Sequence, residues 1–274
     1  MAEKWIGKVT VTGADDSVAP EDLLATAREF PFVEFGLLLS RSTRGTPRFP
    51  SDGWIKQLVQ ACRTDSRRRG ATEAPFAGHF CGSFVRDILC GAWPWEELQK
   101  GFGRMISRWQ LNTYGVPHAC RPAAFISALK EVNRKGRQVT LQYDWRNPDP
   151  LSAAVESGCG ISVIYDASAG CFGLPGNGGC PQNAALPYGI AGEFTAENLE
   201  RSLAWLASLT DARPFWLHTR TAFRAEGARF DLGKVHRFLT AVRPWVMAPD
   251  ESTRETLAAP PPRSTKSKKS QPPA

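Results

Sequence analysis

Acid–base chemistry in this chain would fall to a small set of polar residues that interrupt short apolar runs. VTVT ends on Thr12 and is followed by Asp15 and Asp16, FAGHFC carries His79, and WQLN carries Gln110 and Asn112. LQYD supplies Gln142 and Asp144, VIYD ends on Asp166, and FWLHTR supplies His218 and Arg220. Ser40, Arg41, Arg44 and Arg48 follow a further apolar run, FVEFGLLL. Carboxylates can act as acids or bases once their surroundings adjust them, and histidine has a pKa suited to proton transfer near neutrality. Each also has a plainer reading. A histidine among apolar neighbours can be a structural group, and Asp15 with Asp16 can be the solvated turn before a helix.

Anion binding has its own candidates. The stretch after Asp166 reads ASAGCFGLPGNGGCP, with glycines at 170, 173, 176, 178 and 179. Backbone N–H groups in such a stretch can turn together into a nest for phosphate, with Gly178 and Gly179 its densest part, although a plain connector has the same composition. Gly192, in YGIAGEFTAENL, stands before an expected helix whose N-terminus would attract an anion. Proton transfer of this kind needs no metal and no organic cofactor. The seven cysteines, at 62, 81, 90, 120, 159, 171 and 180, contain no CxxC pair and no zinc-ligand spacing. They read as reduced thiols.

The elements that must position these residues alternate. Val9–Thr12, Phe32–Leu39, Phe76–Cys81, Trp109–Leu111, Val139–Tyr143, Ile161–Asp166, Tyr188–Ala191 and Phe215–Thr219 read as strands. Amphipathic stretches follow them, among them Pro20–Phe30, the helix after Ser51, Pro122–Lys135, Pro150–Gly158, Thr195–Leu209 and Asp231–Val242. Pro20 suits a first helical position and Gly136 a helix stop. Strict alternation implies a parallel sheet with right-handed crossovers, and eight units favour a closed (β/α)8 TIM barrel of the α/β class. In that architecture the strand C-termini and the loops after them build the site. Glu34, early in its strand, then reads as half of a structural ion pair inside the barrel.

The barrel is expected over residues 1–248 and a disordered tail over 249–274. LAAPPPRSTKSKKSQPPA has too little to bury to offset its ordering entropy. Of the formal charge of +7, four units lie in Leu257–Ala274, leaving an ordinary +3 for the rest of the 274 residues. Neither the tail nor Arg63 with Arg67–Arg69 interleaves aromatic residues with its charges, so a nucleic-acid role is disfavoured. No apolar run reaches the ~18 residues of a membrane span, and MAEKWIGKVT lacks the apolar core of a signal peptide. A cytoplasmic setting is the expectation, and the oligomeric state is left open.

Several of these segments, in order, resemble the phosphoribosylanthranilate isomerases. TPRFPSDGWIKQL (Thr46–Leu58) is similar to the family's SPRYVS segment, WQLN to its QLHG strand, and VIYDASAG to its LLDA strand and loop. YGIAGEFTAENL resembles LAGGLNPENV, and FDLGKVHRFL (Phe230–Leu239) resembles the last helix. The resemblance implies an Amadori-type isomerisation of a phosphorylated or otherwise anionic small molecule. Asp166 would be the general acid and Arg48 a substrate-holding residue; Gln110, Asn112 and Gln142, by their strand-end positions, and Gly178, Gly179 and Gly192, by their anion-binding chemistry, are expected to line the ligand beside them. Thr12 stands where the family has its base, a cysteine, and a threonine hydroxyl accepts a proton poorly without a partner base. HTRTAF replaces the family's phosphate-binding D-x-S-S-G-V, and Glu193 replaces a glycine. Two readings follow. Asp15, Asp16 or His79 supplies a base for a different substrate, with His218 or Arg220 replacing the lost anion contacts. Alternatively, the barrel has lost catalysis and serves as a binding or accessory protein.

Overall fold

The computed structural model describes residues 5–69, 74–94, 97–98, 102, 105–106, 108–114, 116, 120–144, 146–166, 186–207, 214–219, 222–225 and 228–247. Eight strands run in parallel and close into a barrel, each bonded to the next and β8 to β1. They are β1 Ile6–Thr12, β2 Val33–Leu39, β3 Phe76–Phe80, β4 Arg108–Leu111, β5 Gln138–Gln142, β6 Ile161–Asp166, β7 Tyr188–Gly192 and β8 Phe215–Thr219. Seven α-helices lie among the described residues: α1 Pro20–Glu29, α2 Asp52–Arg69, α3 Ser83–Leu89, α4 Pro122–Arg134, α5 Asp149–Glu156, α6 Leu199–Ala207 and α7 Leu232–Val242. The expected (β/α)8 barrel is thus the fold. The glycine-rich stretch, including Gly178 and Gly179, lies outside the described residues, as do Arg220 and the basic tail.

Sequence chemistry explains the alternation. All seven residues of β2 are buried, because a barrel strand faces the interior on one side and the helices on the other. Val33, Phe35, Leu37 and Leu39 join the apolar layer beneath the helices, while Glu34 and Gly36 take the other parity. Helix α1 opens with Pro20 and carries Glu21 and Asp22 in its first turn, where the helix dipole favours acids. Helix α7 is capped by Asp231, whose carboxylate accepts from the Lys234 amide at 3.0 Å. Its Val235, Phe238, Leu239 and Val242 turn toward the strands. Below the barrel the 3-10 turn Arg243–Trp245 brings Trp245 against Trp5, and the Met247 amide donates to the Ile6 carbonyl at 2.9 Å.

Most boundaries shift by a residue or two, and two larger shifts have identifiable reasons. Strand β1 starts at Ile6 rather than Val9, because Lys8 is a strand residue whose ammonium reaches Glu34. Helix α6 starts at Leu199 rather than Thr195. The Thr195 amide donates to Asn198 Oδ1 at 2.9 Å and the Asn198 amide to Thr195 Oγ1 at 3.3 Å, which fixes a turn before the helix. Gly192 is consequently the last residue of β7, and six residues separate it from the first turn of α6. The expected placement of Gly192 at a helix N-terminus is corrected accordingly.

Candidate functional site

The barrel interior holds a deep layer of charge. Arg108, the first residue of β4, reaches across to β2, where its Nε donates to Glu34 Oε2 at 3.2 Å and its Nη2 to Glu34 Oε1. Its Nη1 donates to Thr140 Oγ1 on β5 at 2.9 Å, and Thr10 of β1 donates to Glu34 Oε1 at 3.0 Å. Thr140 shares a hydrogen bond of 2.7 Å with Ser162 of β6. Burial pushes the Glu34 carboxyl up, but the positive charges of Arg108 and then Lys8 outweigh it and hold the group well below the ordinary carboxylate range. Glu34 is the interior ion-pair member its strand position implied. Arg108 was not recognised from sequence, although its parity with Gln110 and Asn112 marks it as interior.

Above this layer, toward the strand C-termini, sit the two histidines. His79 of β3 is fully buried, and its ring packs edge-on against that of His218 of β8 at a centroid distance of 5.2 Å. The ring fits because position 36 on the neighbouring strand is glycine. A Cβ there would stand 2.7 Å from His79 Nε2 and 2.7 Å from Thr12 Cγ2. Neither ring nitrogen of His79 has a hydrogen-bond partner among the described residues. Burial, reinforced by the charge of Arg108 and only partly opposed by Glu34, pulls the His79 pKa down to about 3. His79 is therefore a neutral imidazole at physiological pH. Gln110, the register partner of His79 on β4, leaves its buried Oε1 without a partner as well.

The strand ends carry a ring of polar contacts. Gln110 Nε2 donates to Asn112 Oδ1 at 2.9 Å, and Asn112 Nδ2 points to the Cys81 sulfur at 3.1 Å. Gln142 Nε2 donates to Asp166 Oδ2 at 3.0 Å, and Gln142 Oε1 accepts from the Tyr114 amide at 3.2 Å. Asp166 ends β6 and is buried. Thr12 ends β1, and its hydroxyl donates to the Thr219 carbonyl at 2.9 Å. The structure thus brings Asp166, Gln142, Gln110, Asn112, His79, His218 and Thr12 to the C-terminal half of one barrel.

Asp15 and Arg48 stand apart from this ring and do a different job. Asp15 is neither solvated nor unengaged. Its carboxylate accepts from the Ser17 amide at 3.0 Å, Ser17 Oγ at 2.6 Å, the Arg48 amide at 2.6 Å and Arg224 Nη1 at 2.9 Å. Those bonds tie together the loops after β1, β2 and β8, and hold Arg48 at a positive φ of 78°. Burial raises the Asp15 pKa, but the Ser17, Arg48 and Arg224 hydrogen bonds overcome it and leave the carboxyl below its usual value. Asp16 is exposed and accepts from the Ser51 amide at 2.8 Å. Arg41 and Arg44, expected near the mouth, pair with acids: Arg41 with Asp87, and Arg44 with Asp52 at 2.9 Å and Glu97 at 2.8 Å. Among the described residues, no group of three or more His, Cys, Asp or Glu side chains is placed to hold a metal ion. No described helix is long and apolar enough to cross a membrane.

No known family matches the sequence, and no curated protein matches it. Among solved structures, the chain is similar to a complex of BexX with CysO from Amycolatopsis orientalis, at 16% identity over 91% of this chain and 97% of that one, with a TM-score of 0.47. It is similar to a rubisco-like protein from Rhodopseudomonas palustris at 12% identity and a TM-score of 0.46, covering 89% of this chain and 65% of that one. The chain therefore spans just under two thirds of the rubisco-like protein's length. A 3-keto-L-gulonate-6-phosphate decarboxylase from Vibrio cholerae follows at 11% identity and a TM-score of 0.43, over 88% of this chain and 100% of that one. Likeness at this level says nothing of family or activity.

Proposed function

We propose that the barrel binds a phosphorylated or otherwise anionic small molecule at its C-terminal mouth and isomerises it by acid–base chemistry, as a divergent relative of the phosphoribosylanthranilate isomerases. The observation that carries this reading is the setting of Asp166. It is a buried carboxyl at the end of a barrel strand, with Oδ2 held by Gln142 and, at the end of β4 on the same rim, Asn112 held by Gln110. A carboxyl held in one orientation at a strand terminus suits a general acid. The family's base position offers only the Thr12 hydroxyl, already bonded to a carbonyl, and Asp15 is fully engaged in the loop clamp. The base therefore lies elsewhere in the interior or is lost.

That last point supports a second reading, a barrel without turnover that retains a small-molecule site as a binding protein. One experiment addresses both. Thermal unfolding is followed with ribose 5-phosphate, ribulose 5-phosphate and inorganic phosphate, together with an assay of phosphoribosylanthranilate turnover, for the wild type and Asp166→Asn. A ligand that binds only the folded state raises the midpoint. The enzyme reading expects sugar phosphates to stabilise the wild type more than phosphate does, and turnover to vanish in Asp166→Asn. Stabilisation without turnover in either protein moves the conclusion to the binding reading. No response to any anion ends both.

A further inference from the structure

The buried polar atoms just below the rim have a pattern that the setting of Asp166 leaves unexplained. His79 Nδ1, His79 Nε2 and Gln110 Oε1 all lack hydrogen-bond partners among the described residues, and the two residues are direct register partners on adjacent strands. Register partners on neighbouring strands lie about 5 Å apart. The sequence has also left room for this arrangement: Gly36 admits the His79 ring, and residue 77, next inward on β3, is alanine. An unpartnered polar group in a protein interior costs stability, and native structures retain few of them. Three together, beside the rim that carries Asp166, point to something that completes them.

From this geometry we infer that His79 and Gln110 form the floor of the small-molecule site and take an uncharged oxygen function, a hydroxyl or carbonyl, with the ligand entering oxygen-first and its charge left at the rim. The inference rests on the small-molecule reading above and names which end of the ligand goes down. The chemistry matches on each side. A neutral imidazole offers one donor and one acceptor, Gln110 Oε1 adds an acceptor, and a sugar hydroxyl both gives and receives. An anion would be poorly served there, because the Gln110 oxygen and the acceptor nitrogen of a neutral imidazole present lone pairs to it. A cation would meet Arg108 one layer below. The imidazole stays neutral across the physiological range, so it serves as a fixed donor–acceptor rather than a titrating charge.

The test is His79→Leu, which keeps a similar volume and removes both nitrogens. Its unfolding midpoint without ligand and its affinity for ribose 5-phosphate are measured beside the wild type. A binding floor maintained at the expense of stability predicts a midpoint at or above that of the wild type. It also predicts ribose 5-phosphate binding weakened about tenfold or more, with the weaker response to inorganic phosphate retained. A lower midpoint identifies His79 as a structural group and overturns the inference, as does unchanged ribose 5-phosphate affinity. Ring 15N signals of the four histidines, assigned with His79→Asn should the leucine variant not fold, give a second measurement. Ribose 5-phosphate must move the His79 signals, and stationary signals in a protein that binds it overturn the proposal. If no sugar phosphate binds at all, the anionic-ligand reading fails, and uncharged D-ribose at high concentration decides the floor alone. Movement of the His79 signals supports it, and no movement overturns it.

Discussion

In the lower half of the barrel interior Arg108 meets Glu34, Thr10 and Thr140, and both oxygens of Glu34 are met by donors from β1 and β4. One layer up, toward the strand C-termini, His79 and Gln110 sit just as deep and leave three polar atoms without partners among the described residues. The two layers share strands, burial and a polar composition, yet only the lower one completes itself. A buried pair with its hydrogen bonds made holds strands in register. A buried imidazole without them costs stability. If the proposed floor is right, the boundary between scaffold and site runs across the barrel, between Arg108 and Gln110 of a single four-residue strand.

The largest break in that contrast comes from the lower layer. Glu34→Ala leaves Arg108 charged and buried, and should cost about 3–5 kcal/mol in chemical denaturation. The paired replacement Glu34→Met with Arg108→Leu should recover most of the loss, because the uncompensated charge is gone. Equal losses in the single and paired variants would show that packing, not charge, governs the layer. Asp15→Asn, at the loop clamp, should cost about 2 kcal/mol by weakening charge-assisted bonds to Arg224 and Ser17.

Acid titration separates the layers by pH. The unfolded chain protonates His79 below about 6.5, whereas the folded protein resists until about 3. Between those values the unfolded state binds the extra proton, so stability falls as pH falls, by at most about 1.4 kcal/mol per pH unit. Glu34 is also held below its ordinary value, so its contribution is present above about 4.5 and is lost as pH falls further. The window from 6.5 to 4.5 thus reports on the upper layer. His79→Leu should flatten the stability curve there, and an unchanged slope would remove His79 as its cause. At the small end, Asp166→Asn should change stability by less than about 1 kcal/mol, since Asn keeps an oxygen for Gln142, while abolishing turnover. Arg28→Ala, which removes a surface pair with Asp65, should lie within about 0.5 kcal/mol of the wild type by thermal unfolding.

Much of the scaffold was legible in the sequence because burial on two faces writes near-continuous apolar runs, and VEFGLLL, ISVIYD and FWLHT are such runs. Glu34 was legible as an interior acid for the same reason: a carboxylate in that run has nowhere to go but into a pair. Its partner was not, since Arg108 opens a short strand and looks like the end of a loop. Lys8 hid the start of β1 in the same way. The site was less legible than the scaffold. Asp166 could be placed at a strand end, but the sequence does not tell an engaged carboxylate from an available one, and Asp15 proved to be the engaged kind, through an arginine more than two hundred residues away. Gly192 misled because the turn in which Thr195 and Asn198 bond each other's amides opens three residues beyond it, and α6 begins only at Leu199.

Gly36 carries a consequence for descent. A side chain at position 36 and an imidazole at position 79 would claim the same volume, with Thr12 closing the third side. Position 36 can therefore gain a side chain only after the imidazole at 79 has gone. A lineage that acquires alanine at 36 should already have replaced His79 with something smaller. Among future relatives of this chain, that linked pair would separate those that keep the upper layer from those that keep only the barrel.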